Sequence, residues 1–482
     1  MLLTVASWAN FSGEQRIWRS GKVGEMDELL ALSAARAITY LRGVGDRSVF
    51  PDVDAVEGLN DFVTALPTGG TDPSAVIDLL DRAGSPATVA TTGGRYFGFV
   101  TGGAFPVGVA ASWLSATWDQ NAALGVMSPT AAVLDTVVGG WLVKLLGLPV
   151  GSQHQFVTGT SLANSVCLAA GRDTLLAEQG WDSVADGLFG APPIRVVVSD
   201  AAHASVTKAL GFIGLGRNRV VTAPSDAQGR LDPTGLPEAG EPTLIIAQAG
   251  NVNSGSFDPF NAIADHFEGT PHWIHIDGAF GMWAASSPEY AHLTAGAERA
   301  HSWATDLHKW LNTTYDSAVA VVRDRGDLAR TFKVGAEYVP GSPRLEPLDR
   351  GPDMSQRARA VEAWAVLSTL GADGVASHTE RLCELAAQLA AALEEVPEIT
   401  VCNEVMLNQT LVRLDTDEAT EALISAVQGS GEIWCSGSMW DGRRVMRISV
   451  CGHRTDEADI GRTAQLLTEF SRLVHDDEPD VS

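Results

Sequence analysis

Short apolar runs alternate with longer segments of helical spacing through the middle of the chain. The runs QFVTGTS, IRVVVSD, TLIIAQAG, HWIHIDGAF and SAVAVVRD predict strands, and LANSVCLAAGRDTLLAEQG predicts a helix between two of them. Strands that alternate with helices predict a mostly parallel sheet that is covered by helices on both faces. The predicted fold class is therefore α/β, and ligands of such a sheet bind at the carboxyl ends of its strands.

The amino-terminal part of the chain has helical patterns but few strand signals. Residues 25–41 and 73–84 carry apolar side chains at helical spacing, and the stretch RSVFPDVDAVEGLN between them reads as irregular chain. The first 92 residues hold too little apolar material for an independent core. We therefore expect residues 1–92 to form a helical segment that wraps another subunit or the main domain.

A second boundary follows Pro340, where the stretch GSPRLEPLDRGPD interrupts the alternation with prolines, glycines and charges. Two helical patterns come next, RARAVEAWAVLSTLG and HTERLCELAAQLAAALEEV, and then strand-like runs, a hairpin-like IWCSGSMWDGRRVMRISVC and a terminal helix. We expect a large domain over residues 93–350 and a small α+β domain over residues 351–482.

Composition and charge narrow the class of protein. The chain of 482 residues is 45% hydrophobic and 19% charged, which is typical of a globular enzyme. With 33 basic and 59 acidic side chains, its net charge of −26 repels nucleic acid and anionic membranes, so we expect neither as a partner. The five cysteines are dispersed, the apolar first residues MLLTVASWA lack the basic region of a signal peptide, and no apolar run reaches membrane-spanning length. We therefore predict a cytoplasmic protein.

Candidate chemistry begins with Lys309, in the stretch HSWATDLHKWLNTTYDS. Its neighbours include Leu307, Trp310 and Leu311, and an apolar strand follows. A lysine drawn toward an apolar interior loses part of its hydration, which favours the neutral amine and makes the amine a usable nucleophile. The alternative is a lysine that lies at the edge of the core with its ammonium group in water.

A second candidate is the junction VTGTSLAN, where a strand passes into a helix. Backbone N–H groups at a helix start form an anion site, and the hydroxyls of Thr160 and Ser161 add donors. A simple capped helix start is one alternative. Another is a serine hydrolase, because GTSLA differs by one residue from a nucleophile elbow in which Ser161 would be the nucleophile.

The strand HWIHIDGAFG places Trp273, His275 and Asp277 on one face, with Asp277 at its carboxyl end. A buried carboxylate there needs a cationic partner. Metal ligation is disfavoured because His272 faces away from the other candidate ligands, so we predict no metal. His203 begins a helix after IRVVVSD, at the same sheet edge as Asp277 and Lys309, which makes it a further candidate site residue. The alternative role for this histidine is a cap or a hydrogen-bonded core residue.

Together these residues meet the requirements of pyridoxal 5′-phosphate. The cofactor's aldehyde needs an amine, its ring nitrogen needs a carboxylate, and its phosphate needs a helix start. The flat ring needs a stacking side chain on one face and a small residue on the other. The residues for these requirements are, in the same order, Lys309, Asp277, Thr160 with Ser161, His203 and Ala279.

The same motifs resemble those of the group II pyridoxal-phosphate-dependent decarboxylases, which include aromatic amino acid and glutamate decarboxylases. The resemblance runs from about Arg95 to Val450 and is strongest in RYFGFV, TGTSLANSV, HASVTKALG, GNVNSGSFDPF, HIDGAFG, DLHKWLN and MRISV. It implies a fold-type I enzyme with a mostly parallel seven-stranded sheet in the large domain. It also implies a homodimer whose active sites are shared between the subunits.

The resemblance implies roles for individual residues. Lys309 would form the internal aldimine, Asp277 would pair with the pyridinium, and His308 would help to hold the phosphate. His203 would stack on the ring as a catalytic residue. In FKVGAEYVP, Tyr338 matches a loop tyrosine that protonates the quinonoid carbanion after carbon dioxide departs, and an ordinary loop aromatic is its alternative.

Two departures from the family pattern limit what carries over. Asp306 stands where many members have asparagine near the phosphate, and since its carboxylate would repel a dianion, no role is assigned to it. Thr160 replaces the second glycine of the usual pair. Arg447, in MRISV, is similar to an arginine that meets a substrate carboxylate in this fold type, and a surface salt bridge is its alternative.

The predicted activity is decarboxylation of an L-amino acid to the amine and carbon dioxide. Tyr96, Phe97 and Phe99 favour an aromatic substrate, with Phe97, Phe99 and Arg447 as substrate-binding residues, but acidic amino acids are decarboxylated on related scaffolds. The alternatives are an aminotransferase or carbon–carbon lyase on the same fold, the serine hydrolase described above, and a non-catalytic protein that binds the cofactor.

Overall fold

The computed structural model describes residues 23–323, 325–333, 335 and 345–476. The chain forms two compact units, Met1–Ala90 and Thr91–Ser482, and both β-sheets belong to the second. The predictions for the first residues and for Tyr338 lie outside the described residues. The domain limits at residues 92 and 350 stay predictions.

The smaller unit is helical in its described part. Its helices are α1 (Val23–Gly43), α2 (Val53–Glu57) and α3 (Pro73–Leu79). The α2 helix lies in the stretch that was expected to be irregular. It begins because the Asp52 carboxylate accepts a hydrogen bond from the backbone N–H of Ala55, which caps the first turn.

A seven-stranded sheet forms the centre of the larger unit. Its strands run in the order β1-β7-β6-β5-β4-β2-β3. The five adjacent strands β6, β5, β4, β2 and β3 are parallel to one another, whereas β7 is antiparallel to both β6 and β1. The prediction of a mostly parallel seven-stranded sheet is confirmed. The strands are β1 (Gln153–Val157), β2 (Arg195–Ser199), β3 (Val221–Ala223), β4 (Thr243–Gln248), β5 (His272–Asp277), β6 (Ser302–Asp306) and β7 (Ala318–Val322).

Helices cover both faces of this sheet. One face packs against α6, α8 and α10, and the other packs against a larger core that includes α5, α9 and α11. No helix in the described ranges is long and apolar enough to cross a membrane. The helices of this unit are α4 (Pro106–Trp118), α5 (Pro129–Leu145), α6 (Thr160–Glu178), α7 (Ser183–Asp186), α8 (Ala204–Phe212), α9 (Phe260–Phe267), α10 (Arg325–Phe332), α11 (Ala360–Glu394), α12 (Asp417–Ser430) and α13 (Glu457–Asp476).

A second, antiparallel sheet has the order β10-β11-β9-β8. Its strands are β8 (Thr400–Val401), β9 (Gln409–Arg413), β10 (Ser436–Trp440) and β11 (Arg443–Ser449). The predicted hairpin is β10–β11, and it turns at Asp441 and Gly442, whose φ angles of +47° and +71° match a two-residue hairpin turn. The two helices predicted before this sheet are both present in α11, which is interrupted at Gly371, where φ is +65°.

One close contact positions α6 against the sheet. A Cβ atom at Gly171 would lie 2.7 Å from Cδ1 and Cγ of the Trp273 indole on β5. The absence of a side chain therefore lets α6 approach β5 closely. As a result, Thr160 at the start of α6 lies at the same sheet edge as the carboxyl end of β5.

We predict that Gly171→Ala destabilises the protein although alanine favours helix more than glycine does. Overpacking against Trp273 costs about 1–3 kcal/mol, and the gain in helix propensity offsets about 1 kcal/mol of it. Chemical denaturation measures the change in unfolding free energy. The control is Gly211→Ala in α8, where no described atom outside the neighbouring turns of the same helix lies within 4 Å of the added methyl group, and it should stabilise the protein by up to about 1 kcal/mol. Equal effects of the two changes would contradict the close approach.

Candidate active site

The candidate site lies at the carboxyl edge of the central sheet. Because β1 and β6 are both antiparallel to β7, they run in the same direction as each other and as β5. Their carboxyl ends therefore meet at one edge. A cavity of about 340 Å³ opens there, and its lining includes six of the predicted residues: Phe99, His203, Asp277, Ala279, Lys309 and Arg447.

Lys309 lies three residues after β6, with its side chain 19% exposed. Its Nζ is 3.0 Å from Oδ2 of Asp306. Burial lowers the pKa of Lys309, but the ion pair and hydrogen bond with Asp306 and the nearby charge of Asp277 together outweigh burial and raise it. The raised pKa favours the ammonium form, in contrast to the expected neutral amine, because Asp306 is a carboxylate partner that the expectation did not include.

Asp306 has contacts that the sequence did not predict. The residue is 3% exposed, and its Oδ1 accepts a hydrogen bond of 2.7 Å from the backbone N–H of Thr160, the first residue of α6. The same oxygen is 3.7 Å from Nε2 of His308. A single carboxylate thus connects the helix start, the histidine and the lysine. The available signal was an acidic residue at the end of an apolar strand, three positions before Lys309.

The start of α6 can hold an anionic group. Thr160 is 5% exposed, and its Oγ1 has no hydrogen-bond partner in the described part of the chain, while Ser161 beside it is exposed. A Cβ atom at Gly159 would lie 3.7 Å from Cε1 of His308, so the histidine flanks the helix start. An unsatisfied buried hydroxyl next to helix N–H groups fits a phosphate.

His308 directs a hydrogen-bond donor toward the start of α6. Its Nδ1 accepts a hydrogen bond from the backbone N–H of Ser317, which leaves the ring proton on Nε2 when the imidazole is neutral. Burial lowers the pKa of His308, despite the opposing effect of Asp306, and so favours the neutral form. The ring also stacks on Tyr315 with 4.2 Å between ring centroids.

Asp277 is held by hydrogen bonds from two helices. Its Oδ2 accepts from Nδ2 of Asn164 on α6 at 2.9 Å and from Oγ of Ser205 on α8 at 3.3 Å. Its Oδ1 accepts from the backbone N–H of Ala279 at 3.3 Å. The carboxylate therefore has a defined orientation at the cavity wall.

A directed chain of hydrogen bonds continues behind Asn164. The Trp273 indole donates to Oγ of Ser302 at 2.9 Å, and the same Oγ lies 2.9 Å from Nδ1 of His275. The serine hydroxyl donates to this nitrogen because the neutral ring carries its proton on Nε2. Nε2 of His275 then donates to Oδ1 of Asn164 at 2.9 Å. Burial lowers the pKa of His275 to about 3, so the ring stays neutral at ordinary pH. The shared face of Trp273, His275 and Asp277 was predicted, and Asn164 was missed because its partners are distant in sequence.

His203 lies at the predicted position in the cavity wall, and it also has the role that was its alternative, a helix cap. It lies at the cavity and also caps α8, since its Nδ1 accepts from the backbone N–H of Ser205 at 3.2 Å. Burial lowers its pKa, against the raising effect of Asp277, and nearby Lys309 and Arg447 lower it further. The cap fixes the ring at the mouth of the cavity.

Arg447, on β11, is 8% exposed and lines the cavity. Its Nη1 donates to the backbone oxygen of Val252 at 3.1 Å, while its Nε has no hydrogen-bond partner among the residues that the structure describes. Its burial does not fit the alternative of a surface salt bridge. Gln248, also in the wall, has no described partner for its Nε2. Two buried donors thus remain available to an oxygen-bearing ligand.

The aromatic residues of RYFGFV differ in whether they lie in the core or line the cavity. Phe97 is 0% exposed and packs in the core, which corrects its expected place in the substrate site. Phe99 lines the cavity and is 61% exposed. Its ring lies 5.4 Å from that of Trp434, which stacks on Tyr96 at 5.1 Å. Sequence reasoning missed Trp434, which lies more than 300 positions away.

The serine hydrolase and metal alternatives find no support in this geometry. Ser161 lies inside the first turn of α6 and not on a sharp turn before the helix, as a nucleophile elbow requires. Over the residues that the structure describes, no group of three or more histidine, cysteine, aspartate or glutamate side chains could hold a metal ion.

Comparisons with known proteins assign the chain to a family. Residues 88–414 match the pyridoxal-dependent decarboxylase conserved domain. The chain is 24% identical over 94% of its length to an aromatic-L-amino-acid decarboxylase of Bacillus atrophaeus, and 27% identical over 90% to one of Bos taurus. The alignments cover 96% and 93% of those two proteins.

Solved structures support the same fold. The crystal structure of Oryza sativa TDC with PLP and tryptamine superimposes with a TM-score of 0.87 at 20% identity, covering 95% of this chain and 99% of that one. Mouse CSAD superimposes with a TM-score of 0.86 at 20% identity, over 94% and 99% of the two chains. The family match spans more than half of the chain and favours decarboxylation over transamination or carbon–carbon cleavage. The chain belongs to the pyridoxal-dependent decarboxylase family, and it is a lyase that uses pyridoxal 5′-phosphate to decarboxylate an L-amino acid.

Proposed function

We propose that this enzyme is a cytoplasmic homodimer that converts an aromatic L-amino acid to its amine and carbon dioxide. The observation that carries the proposal is the cavity at the sheet edge, where Lys309, Asp277 and Arg447 line one space. Phe99 adds an exposed ring at its opening, beside the stacked rings of Trp434 and Tyr96. Two similar proteins are named aromatic-L-amino-acid decarboxylases, which supports the same substrate class.

The bound cofactor supplies an electron sink for the pair of electrons that remains when carbon dioxide departs. In the proposal, the Lys309 amine would hold the cofactor's aldehyde carbon. Asp277 would keep a proton on the ring nitrogen and so preserve the sink. The hydrogen bonds from Asn164 and Ser205 hold this carboxylate in the orientation that the task requires.

Four kinds of donor at or beside the start of α6 would hold the phosphate. The backbone N–H groups and the unpaired Thr160 hydroxyl supply donors, Ser161 adds an exposed hydroxyl, and His308 presents its Nε2 proton from the side. His203 and Ala279 line the same cavity and would lie against the two faces of the ring. A ring held on both faces keeps the scissile bond at a fixed angle to it.

Arg447 would bind the carboxylate of the substrate. Its guanidinium is buried, keeps an unpaired Nε, and has a pKa that burial lowers. A carboxylate partner would compensate this burial, since an unpaired buried charge is costly. The proposal therefore gives Arg447 a positioning task in which it orients the substrate before the reaction.

We expect Lys309→Ala to abolish both covalent retention of the cofactor and carbon dioxide release. Without the amine there is no group to hold the aldehyde carbon. The measurements are visible absorbance after gel filtration, mass spectrometry after borohydride reduction, and carbon dioxide release from a panel of aromatic and acidic amino acids. Aromatic substrates should react fastest in the wild type.

The matched control for this change is Lys208→Ala, which alters an exposed lysine on α8 and should keep both properties. Retention of carbon dioxide release by Lys309→Ala would refute the assignment of the lysine. A wild-type preference for glutamate or aspartate would refute only the aromatic substrate class.

Asn164→Ala should lower kcat by about 10- to 100-fold while the protein still folds. The hydrogen bond from Asn164 to the Asp277 carboxylate is of the charged kind, worth about 1.5–3 kcal/mol. Steady-state kinetics and the absorbance of the bound cofactor measure the effect, because a misplaced carboxylate changes ring protonation. An unchanged kcat and spectrum would show that Asn164 does not position Asp277. Asn60→Ala, in the other unit, is a control that should leave both unchanged.

Tyr338 is proposed to protonate the carbon from which carbon dioxide departs, on the strength of the family resemblance alone. Tyr338→Phe should keep cofactor binding and lose amine formation. If each site combines Lys309 of one subunit with Tyr338 of the other, mixing Lys309→Ala with Tyr338→Phe protein should restore activity. Random reassembly would restore about a quarter of the sites. Activity that stays at background after verified subunit exchange would contradict a shared site.

A further inference from the structure

Asp306 contacts the same groups that the proposed function assigns to the cofactor. Its Oδ1 accepts from the N–H of Thr160 at 2.7 Å and lies 3.7 Å from Nε2 of His308, and its Oδ2 lies 3.0 Å from Nζ of Lys309. Thr160 and His308 would hold the phosphate, and Lys309 would hold the aldehyde carbon. One buried carboxylate therefore uses donors that two ends of the cofactor need.

A carboxylate and a phosphate compete for these donors. Both are anions that accept hydrogen bonds, and both are stabilised at the positive end of a helix. A backbone N–H carries one hydrogen, so the N–H of Thr160 cannot donate fully to both. Two anions that share this buried position would also repel each other.

We propose that Asp306 is a built-in competitor of the cofactor phosphate. In the cofactor-free enzyme its carboxylate occupies the start of α6 and pairs with Lys309, and it gives up these contacts when the cofactor binds. The proposal rests on the proposed function, because it takes the phosphate to bind at the start of α6.

The main chain of Asp306 stays in place during this exchange. Its backbone N–H donates to the backbone oxygen of Ala279 at 2.9 Å, and its backbone oxygen accepts from Nε1 of Trp283 at 3.1 Å. Only the side chain therefore has to move. The exchange is a rotation of one carboxylate and needs no rearrangement of the sheet.

Two consequences follow for the enzyme. The affinity for the cofactor is lower than the donors alone would allow, because binding displaces an existing anion. The Lys309 amine is also held as an ammonium ion until Asp306 releases it, in agreement with its raised pKa.

The test compares cofactor-free wild-type enzyme with Asp306→Asn, using pyridoxal 5′-phosphate and pyridoxal as the two ligands. Dissociation constants are measured by quenching of tryptophan fluorescence. We expect Asp306→Asn to bind pyridoxal 5′-phosphate about tenfold more tightly, the size expected of a charge at a buried helix start. Pyridoxal lacks the phosphate, so its affinity should rise distinctly less.

The difference between the two ligands isolates the competition with phosphate. Unchanged or weaker binding of pyridoxal 5′-phosphate to Asp306→Asn would overturn the proposal. An equal gain for both ligands would also overturn it, because Asp306 would then act through Lys309 alone. The control variant is Asp173→Asn, which neutralises another buried, ion-paired carboxylate further along α6 and should change neither constant.

Two further measurements keep the test decisive. If Asp306→Asn does not fold, Asp306→Ser removes the same charge and supplies a hydroxyl in place of the carboxylate, and the same difference between ligands is expected. Borohydride reduction with peptide mapping reports separately on the site. Absence of cofactor on Lys309 in the wild type would refute the proposed function, whereas labelled Lys309 with unchanged affinities would refute only the competition.

Discussion

The ion pair between Lys309 and Asp306, with the charge of Asp277 nearby, is the interaction on which the site depends. Lys309 lies at the carboxyl edge of the sheet with Asp306 in contact, and Asp277 is close enough to raise its pKa further. None of these charges is stable alone in an apolar core, so each requires the others or a ligand. The packing of α6 on β5 brings them together, since Gly171 lets the helix approach and Thr160 then reaches Asp306.

The two carboxylates are held in different ways, and the difference has a chemical meaning. Asp277 is oriented by hydrogen bonds from Asn164, Ser205 and the chain beyond β5, with the neutral His275 behind them. The polar contacts of the Asp306 side chain within the described residues are with Thr160, His308 and Lys309, the groups that we propose hold the cofactor. A fixed carboxylate suits a lasting task at the ring nitrogen, whereas a carboxylate with replaceable partners suits a position that is emptied on binding.

Much of the site was predictable because the chemistry of each residue is local to its motif. Lys309, Asp277, His203 and Ala279 were expected at one sheet edge, and they line one cavity. Phe97 was misplaced because adjacent aromatics in a loop can point either to the core or to a ligand, and only packing decides. Asn164 and Trp434 were missed because each meets its partner across more than 100 residues of chain.

The sequence by itself determined the fold class, and it predicted which strand ends carry chemistry and that Lys309 is the reactive amine. These follow from periodicity and from residue types at strand-to-helix junctions, which are short-range properties of a chain. Only the tertiary structure decided the charge of that amine and the orientation of its neighbours. Both depend on which buried groups come within a few ångströms, and such distances arise from packing between elements far apart in sequence.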